Sequence, residues 1–160
     1  SGTREFPVLR QPSDVATYLS SMARLTREQF RCLYLNAMNR LIRDELISVG
    51  SLNSTHVHPR EVFHYAAQYS AASVILVHNH PSGQVQPSKE DRLLTARFKK
   101  AAKLLGVTLL DHMIIGSEGW FSFLQSGLLM QMEPADAVSP DALPASAPPP
   151  DSSHHFMGST

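Results

Sequence analysis

Two histidines and a carboxylate within one polar loop have the spacing to bind a single metal ion. His78 and His80 follow the apolar run "SVILV", and Asp91 ends the stretch "HNHPSGQVQPSKED". Histidines one residue apart can share an ion where a strand has just ended and the backbone turns, and Pro81 and Gly83 favour such a turn. Two neutral imidazoles and one carboxylate leave a fourth tetrahedral position open, as in catalytic zinc sites. We therefore predict that His78, His80 and Asp91 bind Zn²⁺.

Ser88 and Asp91 also have the spacing of a helical capping box, in which both side chains bond to backbone N–H groups. On this interpretation the two residues only begin a helix. The order of two histidines followed by a first-turn carboxylate favours the metal site instead. Ser88, or a backbone N–H, would then stabilise the oxyanion that forms when a carbonyl group is attacked.

Hydrolysis at such a site also needs a group that transfers protons, because zinc only lowers the pKa of its bound water, from about 15.7 to about 7. In "LIRDELISV" the two-residue period of a strand places Glu45 on the face of Leu41 and Ile47. Burial there would raise the pKa of Glu45, so we predict Glu45 as the general acid/base. Asp44 and Glu61 are alternatives. An exposed edge strand would make Glu45 an ordinary surface charge.

The elements that would position these residues alternate between helices and strands. The run "SVILV" has no polar interruption, which predicts a central strand buried on both faces. Ligands usually bind at the end of such a strand in a helix-flanked sheet. The other predicted strands are two runs within "FRCLYLNAMNRLIRDELISVG", then "VTLLDHMIIG" and "WFSFL"; the predicted helices are "DVATYLSSMARL", "REVFHYAAQYS" and "KEDRLLTARFKKAAKLLG". We predict an α/β fold with a mixed β-sheet packed between helices.

Length and composition indicate one folded domain, over residues 1–133. Residues 134–160 are rich in Pro, Ala and Ser, and we expect a disordered tail there. The 14 basic side chains equal the 14 acidic ones, so no broad positive surface favours sequence-independent nucleic-acid binding. The single cysteine, Cys32, cannot close an intrachain disulfide, and the apolar runs are too short to cross a membrane. We expect a cytoplasmic protein, and its oligomeric state is not predicted.

The motif His78-x-His80-Pro81, then Ser88-x-x-Asp91 with an upstream glutamate, resembles the JAMM motif of MPN/JAB metallopeptidases. The stretches "VHPREVF", "HNHPSG", "PSKED" and "LLDHMIIG" resemble the RadC family more narrowly. This resemblance implies zinc ligands His78, His80 and Asp91, with Glu45 as general acid/base and Ser88 stabilising the oxyanion. It also implies a mixed sheet between helices, similar to the cytidine deaminase architecture.

Two functions compete on this evidence. The first is a zinc-dependent metallopeptidase or isopeptidase that cleaves an amide bond in a peptide or protein substrate. The second is a DNA-repair or mobile-element accessory protein with a structural or nucleolytic metal site, although the basic residues of "RFKKAAK" more simply form the solvated face of a helix. Base deamination would need a Cys-x-x-Cys ligand pair that a chain with one cysteine lacks. His112 either supports a ligand from behind or is a satisfied core histidine.

Overall fold

The computed structural model describes residues 5–50, 57–132 and 156–157, and they form a five-stranded mixed sheet with helices on both faces. The elements are α1 (Pro12–Tyr18), a 3-10 helix (Ser20–Arg24), β1 (Gln29–Leu35), β2 (Leu41–Val49), α2 (Pro59–Gln68), β3 (Ser73–Asn79), α3 (Lys89–Leu105), β4 (Thr108–Gly116), β5 (Gly119–Ser122) and α4 (Leu128–Gln131). The strand order is β2-β1-β3-β4-β5. Among the strands of the described residues, only β3 and β4 pair in parallel. The predicted fold class is confirmed.

Strand β3 is the central strand, and all of its residues are buried. It pairs with β1 on one side and with β4 on the other. One face of the sheet packs against α2 and α3 through a cluster that includes Phe30, Leu76 and Phe98. The opposite face packs against α1 and the 3-10 helix through Leu33, Ile75 and neighbours. Burial on both faces explains why this strand is an unbroken run of apolar residues.

Strand β2 lies at one edge of the sheet and is only partly covered. Leu41 is buried, whereas Glu45 and Ile47 are half-buried. The two-residue phase placed Glu45 correctly with Ile47, because Glu45 pairs with Cys32 in the cluster beside α2 and α3. It was wrong for Leu41, which packs on the opposite face, since an irregularity in the β1–β2 pairing shifts the register before Glu45. Because β2 has no partner strand on its outer side among the described residues, its inward side chains keep contact with solvent.

The loop from β3 to α3 is fixed against the turn between β4 and β5. The N–H of His80 donates to the carbonyl of Ile115 at 3.0 Å, and the N–H of Glu118 donates to the carbonyl of Gly83 at 3.2 Å. Gly83 has a φ of 92°, which favours glycine. The carbonyl of Gly83 also occupies the space that a side chain at Gly116 would need. The backbone therefore turns sharply after Asn79, as Pro81 and Gly83 predicted.

Phe156 lies within the segment for which the sequence predicts a disordered tail. Its side chain is 5% exposed and packs in the cluster beside α1. Its carbonyl accepts a hydrogen bond from Asn39 Nδ2 at 3.2 Å. The composition of residues 134–160 predicts disorder over the whole segment, but one aromatic side chain can fill a gap in a core. The rest of that segment, apart from Met157, lies outside the described residues.

Candidate metal centre

His78, His80 and Asp91 meet at the end of β3, as the sequence predicted. The Nε2 atoms of the two histidines are 3.0 Å apart. His78 Nε2 lies 3.2 Å from Asp91 Oδ1, and His80 Nε2 lies 3.2 Å from Asp91 Oδ2. His78 and Asp91 are almost fully buried, and His80 is partly exposed. Two imidazole nitrogens and the two carboxylate oxygens of Asp91 thus form a compact group of possible ligand atoms, with His80 on the side toward solvent.

Asp91 serves the helix and the site at the same time. The N–H of Ser88 donates to Asp91 Oδ2 at 2.9 Å, and the N–H of Asp91 donates to Ser88 Oγ at 3.0 Å. This is the capping box that the spacing predicted, and it aims the carboxylate at the two histidines. Burial alone would raise the pKa of Asp91, but its contacts with His78 and His80 outweigh burial and hold that pKa far below its ordinary range. The two interpretations of Ser88 and Asp91 are therefore compatible.

Hydrogen bonds behind His78 assign its tautomer. Thr95 Oγ1 donates to the carbonyl of Asp91 at 2.6 Å, so it accepts from His112 Nδ1, also at 2.6 Å. The neutral His112 then has a lone pair on Nε2, which accepts from His78 Nδ1 at 2.8 Å. Burial lowers the pKa of His112 and keeps it neutral. His78 therefore presents a lone pair on Nε2 toward His80 and Asp91.

His80 presents a lone pair by the same logic. Its Nδ1 lies 2.9 Å from the carbonyl of Gln84, which only accepts, so Nδ1 carries the proton. Its Nε2 then faces His78 and the Asp91 carboxylate without a proton of its own. Two imidazole lone pairs and a carboxylate this close repel each other unless a cation lies among them. A proton can serve as that cation, and contact with Asp91 raises the pKa of His80 accordingly.

The spacing and chemistry of these ligand atoms fit a divalent metal ion. Tetrahedral zinc with bonds of about 2.0–2.1 Å to nitrogen holds neighbouring ligand atoms about 3.3 Å apart. Here the two imidazole nitrogens are 3.0 Å apart, and each lies 3.2 Å from a different oxygen of Asp91. Two neutral imidazoles and a carboxylate are also a donor set that zinc accepts. These residues therefore fit the ion that the sequence predicted.

Glu28 is a site residue that the sequence reasoning missed. Its Oε1 lies 4.0 Å from His78 Nε2, and Glu28, His78 and His80 form a group that could hold a metal ion. Glu28 directly precedes β1, and Phe30 on β1 pairs with His78 on β3. An antiparallel partner of β3 must begin where β3 ends. That rule would have found Glu28 once the pairing of β1 with β3 was known.

Glu45 makes its described contacts away from the histidines. Its Oε1 accepts a hydrogen bond from the hydroxyl of Tyr69 at 2.5 Å. Two strand spacings, of about 4.8 Å each, separate β2 from β3. Neither alternative carboxylate contacts the histidines within the described ranges: Asp44 pairs with Arg31 at 2.9 Å, and Glu61 lies in the first turn of α2. These contacts do not support the predicted role of Glu45.

Comparison with known proteins gives the family. A family model described as a RadC-like JAB domain matches residues 9–128. A UPF0758 protein from Staphylococcus carnosus is 52% identical over 120 residues, which cover 74% of this chain and 53% of that protein. A UPF0758 protein from Rubrobacter xylanophilus is 50% identical over 124 residues, covering 77% and 54%. The UPF0758 protein YeeS of Escherichia coli is 51% identical over 109 residues, covering 68% and 74%.

The chain spans about half the length of the first two of these relatives. The resemblance noted in the sequence is confirmed by a match that covers the strands, the loop with both histidines and all of α3. The chain belongs to the family of RadC-like JAB domains.

Proposed function

We propose that this domain is a zinc-dependent metallohydrolase, a metallopeptidase or isopeptidase that cleaves an amide bond in a peptide or protein. One observation carries the proposal: two imidazole lone pairs and a carboxylate converge within 3.0–3.2 Å of each other. His78, His80 and Asp91 would hold the ion. When bound, zinc supplies a water whose pKa is lowered to about 7, and it polarises the carbonyl that is attacked.

Glu28 is the proposed general acid/base. Its carboxylate is 4.0 Å from His78 Nε2, whereas Asp91 lies within 3.2 Å of both imidazoles. The closer carboxylate suits a ligand, and the farther one suits a hydrogen bond to the attacking water. Glu28 would take up one proton and return it to the leaving amine nitrogen.

Ser88 is the proposed donor to the oxyanion. Its Oγ accepts from the N–H of Asp91, which leaves the hydroxyl proton to donate outward. Ser88 is exposed at the start of α3, so a substrate carbonyl can reach it. Its hydroxyl would strengthen one hydrogen bond as negative charge develops on the carbonyl oxygen.

Metal analysis and peptide hydrolysis together test this proposal. We expect the wild type to bind one zinc ion per chain and Asp91→Ala to bind none tightly. Glu28→Gln should keep the zinc and lose about 100-fold or more in kcat, since it removes the proton carrier. Glu45→Gln is the matched control, and it should keep both zinc and turnover.

The substrates for this experiment are linear peptides, isopeptide-linked peptides and duplex or single-stranded DNA. Cleavage of a peptide bond that disappears in Asp91→Ala and Glu28→Gln supports the proposal. Zinc retained by Asp91→Ala would contradict the assigned ligand set. Loss of turnover in Glu45→Gln with full turnover in Glu28→Gln would return the acid/base role to Glu45. Metal-dependent cleavage of DNA alone would replace the peptidase with a nuclease.

A further inference from the structure

The residue between the two histidines is bonded to both neighbours of Glu28. Asn79 Oδ1 accepts a hydrogen bond from the N–H of Gln29 at 2.7 Å. Asn79 Nδ2 donates to the carbonyl of Arg27 at 3.0 Å. Asn79 is 1% exposed, so water does not compete for these two bonds. The side-chain amide thus fixes the peptide groups on either side of Glu28.

We propose that Asn79 is a positioning residue that holds Glu28 beside the metal centre, a role that rests on the function proposed above. Asn79 lies between His78 and His80 in the chain, so its backbone moves with both imidazoles. Any shift of β3 relative to the start of β1 would change the distance between Glu28 and His78. The two hydrogen bonds of the Asn79 side-chain amide oppose that shift.

The chemistry of the two bonds explains why this position holds an asparagine. One partner is an N–H and needs an acceptor, and the other is a carbonyl and needs a donor. Only a primary amide offers both from one planar group of this length. Aspartate would accept from Gln29 but would place a negative charge against the carbonyl of Arg27. Serine is too short to reach both.

The position in the sheet explains why a side chain is needed there. The described pairing of β1 with β3 ends at Phe30 and His78. One residue further, the backbone of β3 turns away toward Pro81, so it no longer offers its own groups to the start of β1. The Asn79 side chain replaces the next backbone bond of the ladder. The backbone of Glu28 is also held by the end of β2, because its carbonyl accepts a hydrogen bond from the N–H of Gly50 at 2.7 Å.

Hydrogen exchange and a paramagnetic metal test the placement without any assay of turnover. In Asn79→Ala we expect the Gln29 amide to exchange about tenfold faster, while amides in the middle of β1 keep their protection. With Co²⁺ as the bound probe, the Glu28 side-chain NMR signals of the wild type should be strongly broadened. In Asn79→Ala the broadening of Glu28 should fall, while that of Asp91 stays.

Turnover adds a second readout. If peptide hydrolysis occurs in the wild type, Asn79→Ala should lose about 10- to 100-fold in kcat with an unchanged KM, because the proton carrier is misplaced. Zinc affinity should change less than about threefold, in contrast to the loss expected when a residue that orients a ligand is removed. Asn36→Ala is the matched control, since Asn36 Oδ1 likewise accepts from backbone N–H groups, but in the β1–β2 turn.

Asn79→Ser keeps the proposal testable if the alanine variant does not fold. The proposal is overturned if a folded variant shows wild-type exchange at Gln29 and wild-type broadening of Glu28. It is also overturned if zinc affinity falls as steeply as kcat, since Asn79 would then support the ligands themselves. A wild type without hydrolytic activity would contradict the proposed function, but the exchange and broadening results would still decide whether Asn79 places Glu28.

Discussion

At the scale of single residues, the protonation of three imidazoles decides whether the centre can accept a metal ion. Each of the two ligand histidines has a hydrogen-bond acceptor that keeps its proton on Nδ1. The acceptor is His112 Nε2 for His78 and the carbonyl of Gln84 for His80. For His78 this depends on His112 and, through it, on the hydroxyl of Thr95. Partners of this kind orient ligands and usually change metal affinity when they are removed. Thr95 therefore affects the protonation of His78 Nε2, although the two residues are linked only through His112.

Thr95→Val should weaken zinc binding by about tenfold, although valine has nearly the same shape. Without the hydroxyl, His112 Nδ1 has no acceptor and its proton can move to Nε2. His78 would then have to carry its own proton on the Nε2 that faces the ion. Competition with a chromogenic chelator measures the affinity. Thr95→Ser keeps the hydroxyl and should bind zinc like the wild type; equal binding by the valine and serine variants would refute the assigned tautomers.

The buried carboxyl group of Asp111, next to His112, leads us to predict that the stability of the fold depends on pH. Burial raises its pKa from 3.8 to about 7, against the opposing effect of hydrogen bonds from Ser122 and from backbone N–H groups. The pKa of Asp111 is higher in the folded chain than in the unfolded one, so its protonated form favours folding. That stabilisation is complete below about pH 3.8. It is lost as the pH rises to about 7, by roughly 1.4 kcal/mol per pH unit at most.

Asp111→Asn should remove this dependence, since the amide does not titrate and can still accept from the N–H of His112 and donate to Ser122. Urea unfolding of the metal-free protein across that pH range measures the free energy of unfolding. The difference between wild type and variant should change with pH in favour of the variant as the pH rises. A constant difference would show that Asp111 is ionised in the folded protein throughout.

At the scale of elements, the start of α3 connects the fold to the site. The capping box formed by Ser88 and Asp91 satisfies backbone N–H groups that a helix leaves unpaired at its N-terminus. The same bonds orient the Asp91 carboxylate toward His78 and His80. A change in the cap should therefore affect both the stability of the helix and the affinity for metal.

Ser88→Ala should lower the free energy of unfolding by about 1 kcal/mol, the usual effect of losing an N-cap hydroxyl. Zinc affinity should fall as well, because Asp91 loses one constraint. Chemical unfolding and zinc titration of the same samples give the two values. Ser88→Thr retains a capping hydroxyl and is the control. A stability loss with unchanged zinc affinity would mean that Ser88 N–H alone is enough to orient Asp91.

The same comparison shows which parts of the site the sequence can predict. His78, His80, Ser88 and Asp91 lie within one loop and one helical turn, where local spacing determines geometry. Glu28 contributes through the pairing of β1 with β3, which joins residues about 50 positions apart in the chain. The two-residue phase of β2 grouped Glu45 correctly with Ile47 but wrongly with Leu41, because the phase does not show the irregularity between them. It also carries no information on which strand lies beside β2. The order of the strands in the sheet is therefore the information that local sequence patterns lack. The hydrogen-bond partner of Glu45 is Tyr69 and not a residue of the metal centre.

At the scale of the whole molecule, the apolar packing of the sheet involves residues other than His78, His80 and Asp91. Two apolar clusters, one on each face of the sheet, pack the five strands against the helices. The centre lies at one end of β3, beside these clusters rather than within them. None of the helices in the described ranges is long and apolar enough to cross a membrane. Because the two apolar clusters do not include the proposed ligands, metal binding should add stability to a chain that already folds.

Added zinc should raise the midpoint of thermal unfolding, because the ion binds the folded chain and not the separated ligands of the unfolded one. At a free concentration of 100 times Kd the gain is about 2.7 kcal/mol, which corresponds to a shift of several degrees for a chain of this size. Scanning calorimetry with buffered Zn²⁺ measures it. Mg²⁺ should cause no comparable shift, since it prefers six oxygen ligands.

Two variants locate the effect of zinc on thermal unfolding. Asp91→Ala should lose the shift, because the two imidazoles alone leave the ion without its anionic ligand. Glu28→Gln should keep most of the shift, because Glu28 is proposed to contact water and not the ion. An equal shift in Asp91→Ala would place the stabilising zinc elsewhere, with the adjacent His154 and His155 as the pair to replace next. Loss of the shift in Glu28→Gln alone would instead make Glu28 a ligand, together with His78 and His80, as their mutual distances also permit.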